Sequence, residues 1–452
     1  MNAMTKKTPR HLAVDILNRV DEYGAFAEPL LDAHLSRNHQ LNIHDRGLIT
    51  QIVYGTLRMR GRLDWIIGQL YRGTFSSMDV RIKNTLRTGI YQLLYTERIP
   101  EFAIVNEAVE IIKIVHPAGA GLVNAVLRNV IRKKDEIVYP EMEKDPSLHI
   151  SITHSHPLWL VEKWIGMFGV EDTAALCRAD NEIPPVTLRV NTLKTTRERT
   201  RDTLLQDGFD VRLTAFSSDG LILLNPAKSI RDTTCYAEGH IQFQDEASQL
   251  IARLVDPKEG ENILDLCAGT GGKTMHLAAL MNNHGSITSV DISKKRLEAL
   301  KKNGRRLGVT IVNTQEGDAR EKIEESCVGE YDKIIVDAPC SGLGTLRRNP
   351  EIKWRSSPED VTKCANLQKI ILDNAALYVK KGGSLIYSTC TIMPEENEKV
   401  IEEFIAHQRN FMCIHPSDTI NSRVVGDLGY FQSYPHRHGT DGFFGALLRK
   451  KS

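Results

Sequence analysis

Two cysteine motifs follow two predicted strands in the C-terminal part of the chain. Cys340 lies in Asp337-Ala-Pro-Cys340-Ser-Gly, and Cys390 lies in Tyr387-Ser-Thr-Cys390-Thr. Thiols at the carboxyl ends of neighbouring parallel strands can face one pocket, where a thiolate can act as a nucleophile. A pair of small buried cysteines is the alternative, because burial is the usual fate of free cysteine.

A glycine-rich loop after an earlier strand predicts a cofactor site. Residues 265–273 read Asp-Leu-Cys-Ala-Gly-Thr-Gly-Gly-Lys. A Walker loop needs glycine where Cys267 stands, and the dinucleotide fingerprint needs glycine where Thr274 stands. The spacing instead resembles the acid-x-G-x-G-x-G loop that binds the methionine part of S-adenosylmethionine. The predicted cofactor-binding residues of this loop are Cys267, Ala268, Gly269, Thr270, Gly271, Gly272 and Lys273.

Three acids at successive strand ends support a nucleoside cofactor. Asp291 ends the strand after the loop, where an acid can accept hydrogen bonds from both ribose hydroxyls. Asp318 follows the third strand and is predicted to meet the adenine, and Asp337 follows the fourth. One such acid would be a weak signal because aspartate often caps helices. Asp265, Asp291 and Asp318, in register with three successive strand ends, together support a nucleoside cofactor, and Asp337 is also predicted to bind it.

Beside a methyl-donor site, two thiols and an acid fit methylation of carbon 5 of cytosine. That carbon is a poor nucleophile until a thiolate adds to carbon 6 and makes it enamine-like, which accounts for one cysteine. Asp337 could stabilise charge near N3, and a second cysteine could assist elimination of the thiolate. Enzymes that methylate exocyclic nitrogen show Asp/Asn-Pro-Pro-aromatic where this chain has Asp337-Ala-Pro-Cys340.

The elements that position these residues are predicted from periodicity. From residue 8 to about 140, apolar residues recur at three- and four-residue spacing, so we expect an all-α domain over 1–143. After Pro184–Pro185, short alternating segments predict a small α+β module within 144–240, preceded by the helix Leu158–Phe168. The strand-like segments of this module are Val186–Val190, Val211–Leu213 and Gly220–Leu224.

From residue 261 onward, strands and helices alternate, which predicts a parallel, doubly wound α/β domain over 241–452. Ligands of such a sheet bind at the carboxyl ends of its strands, where every motif above falls. The predicted strands are Ile263–Leu266, Ser286–Ile292, Thr310–Asn313, Lys333–Val336 and Ser384–Tyr387. The predicted helices are Lys273–Met281, Lys294–Leu307 and Pro358–Val379.

Composition narrows the class of protein. The net charge is +1, so binding to nucleic acid would have to come from local patches such as Arg58, Arg60 and Arg62. Composition alone favours solvated helix faces for these charges. No apolar run approaches the ~20 residues of a membrane helix, and no secretory signal or CxxC pair is found. We expect a cytoplasmic protein with reduced thiols, without membrane or metal.

The two cysteine motifs, with Glu396-Asn397, resemble those of the RNA 5-methylcytosine methyltransferases. In that family the later cysteine is the nucleophile, which implies Cys390, and the earlier one promotes product release, which implies Cys340. The usual first motif is Cys-Ala-Ala-Pro-Gly-Gly-Lys, and this chain departs from it at positions 269 and 270. The DNA enzymes differ, because their nucleophile lies in the earlier motif.

The resemblance extends over nearly the whole chain. The segment from Leu343 to Arg355 and the C-terminal Thr440-Asp-Gly-Phe-Phe are similar to the small-subunit rRNA methyltransferase B branch, and the first domain looks NusB-like. This implies a class I, Rossmann-like catalytic domain, a 16S rRNA substrate and methylation of cytosine 967. Arg189-Val-Asn191 looks like part of an RNA-contacting module. The predicted RNA-binding residues are Arg58, Arg60, Arg62, Arg189, Asn191, Arg347, Arg348, Lys353 and Arg355.

The hypothesis is a monomeric, S-adenosylmethionine-dependent enzyme that acts on naked 16S rRNA or an early assembly intermediate. Trp354 either stacks on a base or packs in the protein, and the two readings are equal from sequence. A related enzyme acting on tRNA and a non-catalytic ribosome-assembly or antitermination factor remain alternatives. A dehydrogenase is disfavoured by the glycine spacing.

Overall fold

The computed structural model describes residues 7–38, 40–97, 99–224, 228–323, 327–416 and 419–452. The chain divides into two compact units. The first comprises Met1–Glu182 and Leu346–Arg355, and the second comprises Ile183–Thr345 and Ser356–Ser452. The predicted boundaries at 143 and 240 stay predictions.

The described part of the first unit is helical, as its periodicity predicts. Apolar residues on the inward faces form two cores, one around Leu17 and Ile52 and the other around Leu86 and Leu127. Thr8 caps the first helix by accepting a hydrogen bond from the His11 N–H, and Gly24 ends it in the left-handed conformation. The helices are α1 (Pro9–Tyr23), α2 (Ala27–Arg37), α3 (Ile43–Arg58), α4 (Arg60–Leu70), α5 (Val80–Tyr95), α6 (Glu101–Val115), α7 (Ala120–Lys133), α8 (Pro146–Thr153), α9 (Leu158–Phe168) and α10 (Val170–Ala179).

A small antiparallel sheet begins the second unit and confirms the predicted α+β module. Its strands are β1 (Val186–Val190), β2 (Asp210–Leu213), β3 (Gly220–Leu224) and β4 (Ile241–Phe243), in the order β2-β3-β1-β4. Helices α11 (Arg197–Gln206) and α12 (Thr234–Ala237) belong to this module, and α13 (Glu246–Val255) follows it. Its core lies around Leu188, Leu204 and Ile241.

An eight-stranded sheet forms the rest of the second unit. Its strands are β5 (Asn262–Asp265), β6 (Ser286–Asp291), β7 (Val312–Glu316), β8 (Tyr331–Asp337), β9 (Val379–Thr389), β10 (Phe411–Ile414), β11 (Phe431–Ser433) and β12 (Phe443–Lys450). The order is β10-β12-β9-β8-β5-β6-β7, with β11 paired to β12. The predicted parallel, doubly wound arrangement is confirmed for β5 to β9, and the strands β10 to β12, which were not predicted, extend the sheet by antiparallel pairing.

Helices connect the parallel strands, and their apolar faces cover the sheet. The helices are α14 (Gly272–Leu280), α15 (Lys294–Leu307), α16 (Pro358–Tyr378), α17 (Glu398–His407) and α18 (Pro435–His438). The core includes Ile334, Leu385, Tyr387 and Phe444. Because β5, β6, β8 and β9 run in parallel, their carboxyl ends meet at one edge, to which the motifs belong. In the described residues, no helix is long and apolar enough to cross a membrane.

Candidate active site

A cavity of about 290 Å³ opens at the carboxyl ends of β5, β6 and β8. Five of the ten predicted cofactor residues line it: Cys267, Gly269, Asp291, Asp318 and Asp337. Ala268, Thr270, Gly271, Gly272 and Lys273 belong to the same loop but do not form the cavity wall. Its apolar lining was not predicted: Ile292, Leu367 and Ile371 belong to no motif, and Pro339 was quoted only as part of the Cys340 motif.

The loop between β5 and α14 has the tight turn that its glycines predict. Gly271 has φ +86°, and a Cβ there would lie 2.6 Å from the Leu300 Cγ, so only glycine fits without displacement. The Thr274 hydroxyl donates a 2.6 Å hydrogen bond to Asp265 Oδ2 beneath the turn. Burial raises the pKa of Asp265 to about 7. The loop is therefore anchored to the strand end.

Two of the strand-end acids accept hydrogen bonds from protein donors at the cavity wall. Asp291 accepts hydrogen bonds from the backbone N–H groups of Gly269 (2.9 Å) and Ser293 (2.8 Å). Asp318 accepts a bond from the Arg320 guanidinium, which lowers the pKa of that carboxyl. Each carboxylate oxygen can accept more than one hydrogen bond, so ribose hydroxyls can still be bound.

The carboxylates of the cavity are paired with cations of the protein. Three carboxylates line it, those of Asp291, Asp318 and Asp337. Arg320 bonds Asp318, the Arg296 Nη1 lies 3.8 Å from Asp291 Oδ2, and the Lys273 ammonium bonds Asp337. The opposite charges therefore balance, and the carboxylate oxygens remain hydrogen-bond acceptors for the hydroxyl and ammonium groups of a cofactor. The volume is at the lower end of the ~300–1,000 Å³ typical of ligand pockets.

Asp337 lies between the cavity and the cysteines and is held from two sides. The Lys273 ammonium donates to Asp337 Oδ2 at 2.6 Å, and the Ser388 hydroxyl donates to Asp337 Oδ1 at 2.9 Å. Ser388 was not predicted as a site residue, although it stands in the quoted Cys390 motif. Two charged or polar donors fix the carboxylate in one orientation.

The structure brings the two predicted cysteines together. The Cys340 and Cys390 sulfur atoms are 3.3 Å apart, at the ends of β8 and β9. The hydrogen bond to Cys390, and then burial, raise the pKa of Cys340 well above its usual range. Cys340 is therefore held as a protonated thiol against the Cys390 sulfur.

Glycines hold the backbone around Cys390. The Gly344 N–H donates to the Cys390 carbonyl at 3.0 Å, and the Gly442 N–H donates to the Gly344 carbonyl at 2.7 Å. A Cβ on Gly344 would lie 2.0 Å from the Gly442 oxygen, which excludes any larger residue there. Gly344 and Gly442 belong to the two segments quoted for the resemblance, Leu343 to Arg355 and Thr440-Asp-Gly-Phe-Phe. These two segments therefore meet at the backbone of Cys390.

Glu396 fixes the loop that carries Cys340, a role that sequence reasoning missed. Its side chain is fully buried, and its carboxylate accepts hydrogen bonds from the Ser341 N–H (2.8 Å), the Ser341 hydroxyl and the Gln368 amide (3.0 Å). Burial raises the pKa of Glu396. The position was visible in the Glu396-Asn397 motif, but the sequence cannot tell which loop the side chain would hold.

Two predicted RNA contacts in the second unit are corrected. Arg189 is buried, and its guanidinium donates to the Gln244 side chain and to the Gly272 carbonyl. Asn191 is also buried and donates to the Gly239 and Leu307 carbonyls. Neither side chain can meet a phosphate, so the prediction that they bind RNA is wrong. They connect the small sheet to the helices of the large one.

The segment 346–355 of the first unit requires a similar correction. Lys353 is fully buried, with its ammonium 2.7 Å from Asn181 Oδ1 and 3.3 Å from the Ser155 carbonyl. Arg347 is also buried. Neither is available to a phosphate. Trp354 packs in the protein, since it donates to the Leu57 carbonyl at 2.9 Å.

The other predicted RNA contacts are partly exposed and stay predictions. Arg58 donates to the Arg347 carbonyl, and Arg60 pairs with Asp21 at 2.8 Å. The remaining three are Arg62, Arg348 and Arg355. Arg62 and Arg355 also donate hydrogen bonds within the unit.

Residues 149–156 contain three histidines. The rings of His149 and His156 each bond a backbone carbonyl, of Pro140 and His154 respectively. Among the described residues, no group of three or more histidine, cysteine or acidic side chains could hold a metal ion.

The sheet, the glycine loop and the strand-end acids define a class I methyltransferase. Residues 252–449 match the family described as 16S rRNA methyltransferase RsmB/F, residues 7–132 match the NusB family, and residues 156–229 match the ferredoxin-like domain of RsmF/B-like methyltransferases. The Probable ribosomal RNA small subunit methyltransferase B of Bacillus subtilis is 37% identical over 99% of this chain and 100% of its own length. The chain therefore belongs to the RsmB/F methyltransferase family, with a NusB domain.

A further relative and two solved structures are also similar to this chain. The Ribosomal RNA small subunit methyltransferase B of Pectobacterium carotovorum is 33% identical over 98% of both chains. The crystal structure of PH0851 is 30% identical and covers 98% of this chain and 99% of that chain, with a TM-score of 0.83. NSun6 from Pyrococcus horikoshii, solved with the S-adenosylmethionine analogue SFG, is 25% identical over 64% of this chain and 97% of its own, with a TM-score of 0.59. The predicted cofactor is confirmed at the level of the family.

Proposed function

We propose that this protein methylates carbon 5 of a cytosine in 16S rRNA through a covalent bond between Cys390 and carbon 6 of the base. The observation that carries the proposal is the pair of sulfur atoms 3.3 Å apart, next to an anchored aspartate at the edge of the cofactor cavity. Methylation of an exocyclic nitrogen would need neither thiol. The rRNA substrate is supported by the names of the relatives.

S-adenosylmethionine, when bound, supplies an electrophilic methyl group. The glycine loop and Asp291 would hold its amino-acid and ribose parts, and Asp318 would lie near its adenine. N3 of the cytosine would take up a proton from solvent as Cys390 adds to carbon 6, and the carboxylate of Asp337 would face N3 and accept a hydrogen bond from that N–H. Lys273 and Ser388 keep that carboxylate in place.

The two cysteines take different roles. Cys390 attacks carbon 6, which turns carbon 5 into a nucleophile. After methylation, the carbon-5 proton leaves to solvent and the bond between Cys390 and carbon 6 breaks. The assignment of Cys390 as the attacking thiolate rests on the family resemblance, and the Cys340 sulfur lies 3.3 Å from the Cys390 sulfur. The Cys340 thiol can donate a proton to the departing sulfur of Cys390, which fits a role in product release.

Access to carbon 6 requires the target base to leave its stack. A stacked and paired cytosine does not expose the atom that the thiolate must reach, so the nucleotide must be unpaired or flipped. Cytosine 967, which the resemblance implies, is the specific proposal for the target. Action as a monomer and in the cytoplasm also stay predictions.

The test is transfer of labelled methyl from S-adenosylmethionine to unmodified 16S rRNA, followed by mapping of the modified nucleotide. We expect 5-methylcytosine at a single position, 967. Label at another cytosine of the same RNA would overturn the position alone. Label in tRNA with none in 16S rRNA would overturn the substrate, and label on a base nitrogen would overturn the chemistry.

A further inference from the structure

Helix α15, which follows the second strand of the methyltransferase sheet, exposes a basic face. At 100° per residue, five cations fall within an arc of about 120°, opposite the buried Leu297, Leu300 and Leu307. The five cations are Lys294, Lys295, Lys301, Lys302 and Arg305. The arc contains one acid, Glu298, whose carboxylate pairs with Lys301 at 3.2 Å.

Most of these cations have no partner among the described residues, unlike Arg189, which the sequence predicted to bind RNA. Lys294, Lys295, Lys302 and Arg305 have no side-chain hydrogen bond or ion pair to any described residue. Arg189, by contrast, is buried with protein acceptors. An exposed cation without a protein partner remains available to an anion in solution.

The basic face begins beside the cofactor cavity. Asp291 and Ile292, just before α15, line the cavity, and so does Arg296 in its first turn. The helix of 14 residues extends from that edge for about 21 Å. Because α15 runs back from this edge toward the amino ends of the strands, Lys294 and Lys295 lie nearest the cavity, and RNA that extends about 16 Å further along the helix would meet Lys302 and Arg305.

We propose that the basic face of α15 binds the phosphate backbone of the RNA next to the target nucleotide. The inference rests on the proposed function. The net charge of the whole chain is only +1, so attraction to RNA must come from such local surfaces. Each cation that neutralises a phosphate releases a counterion, which makes binding salt-dependent. An acidic protein is the other anionic partner, but it has no reason to approach the edge of the cavity.

The test compares the wild type with the triple variant Lys295→Gln, Lys302→Gln and Arg305→Gln. Equilibrium binding to unmodified 16S rRNA is measured over a series of salt concentrations. We expect the variant to bind roughly 10-fold or more weakly at low salt and the slope of log K against log salt to fall by about 2 to 3, at about 0.7 to 0.9 per lost contact. Glutamine is a good helix former, so α15 should persist.

The matched control removes three exposed cations from the same unit: Lys381→Gln, Arg409→Gln and Arg449→Gln. Lys381 lies where β9 begins, at the end of the sheet opposite the cavity. The control should bind RNA like the wild type. Equal weakening of both triple variants would overturn the proposal, because it would show a general charge effect.

Two further readouts separate the possible failures. The α15 variant should bind S-adenosylmethionine as the wild type does, which shows that it is folded. Unchanged RNA affinity and salt slope in a folded variant would overturn the proposed surface, including the case in which the face binds an acidic protein. Failure of the proposed function looks different, because the wild type itself would then transfer no methyl group to the RNA.

Discussion

Replacing Glu396 tests whether the loop of Cys340 must be fixed for catalysis. In Glu396→Ala, the Ser341 N–H and the Gln368 amide lose their buried acceptor. Each unsatisfied buried donor costs about 1–3 kcal/mol. With the cavity left by the side chain, we expect a loss of about 3–5 kcal/mol in the free energy of unfolding.

Glu396→Gln is the matched control. Its amide oxygen can accept from the Ser341 N–H and from Gln368, while its NH₂ group faces the Ser341 hydroxyl, which can accept. The Ser341 hydroxyl can in turn donate to Thr391 Oγ1, which lies 3.0 Å away. Only the charge is lost, so we expect a cost of no more than about 1–2 kcal/mol.

The functional consequence concerns product release. Ser341 follows Cys340, so a loosened loop moves that thiol away from Cys390, and a misplacement of about 1 Å can cost 100-fold in rate. Urea unfolding gives the stability, and a denaturing gel gives the lifetime of the protein–RNA adduct. In Glu396→Ala the adduct should accumulate. Equal adduct lifetimes in wild type and alanine variant, or equal damage from alanine and glutamine, would refute this account.

Three further predictions follow from buried or paired charges. The pKa of Asp265 is raised to about 7 in the folded protein, so the folded state binds more protons than the unfolded state between pH 4 and 7. The free energy of unfolding should therefore fall by up to about 4 kcal/mol as pH rises through that range. Asp265→Asn should abolish this dependence in urea titrations. Asp337→Asn should slow methyl transfer roughly 100-fold or more even at saturating S-adenosylmethionine, and full recovery of the rate at saturating cofactor would contradict its role at the base. Lys353→Met should leave the salt dependence of RNA binding unchanged, because its ammonium is buried; a slope reduced by about 1 would show a phosphate contact.

Much of the catalytic fold could be predicted, because parallel strands are buried and read as apolar runs between helices. Helix α15 has the predicted bounds, and β6 differs by one residue. The antiparallel strands β10 to β12 were missed. Strands β10 and β11 have only four and three residues, and only the four-residue helix α18 separates β11 from β12, so the regular alternation that identifies β5 to β9 is lacking.

The geometry at the two thiols followed from a general rule, since strand-end residues of a parallel sheet share one edge. Cys340 and Cys390 lie far apart in the sequence yet have their sulfur atoms 3.3 Å apart. The partners Ser388 and Glu396 could not be assigned, because side-chain direction within a motif depends on the loop that it meets. Both side chains are buried and hydrogen-bonded within the protein, so their partners depend on the tertiary fold.

The RNA-binding residues were the weakest predictions. Arg189 and Lys353 are cations in a recognisable motif, but their long side chains are buried and bond backbone and side-chain oxygens. The sequence shows which side chains are charged but not which of them are exposed to solvent. The basic face of α15 was overlooked for the converse reason, since Lys294–Leu307 was interpreted only as a helix of the sheet.

The covalent step with Cys390 is tested most directly by trapping the protein–RNA adduct. Wild type, Cys340→Ala and Cys390→Ala are incubated with S-adenosylmethionine and unmodified 16S rRNA, then denatured and resolved. The account predicts that Cys340→Ala accumulates a denaturant-resistant adduct, while Cys390→Ala gives neither adduct nor 5-methylcytosine. An adduct that forms in Cys390→Ala and disappears in Cys340→Ala would contradict it and make Cys340 the nucleophile.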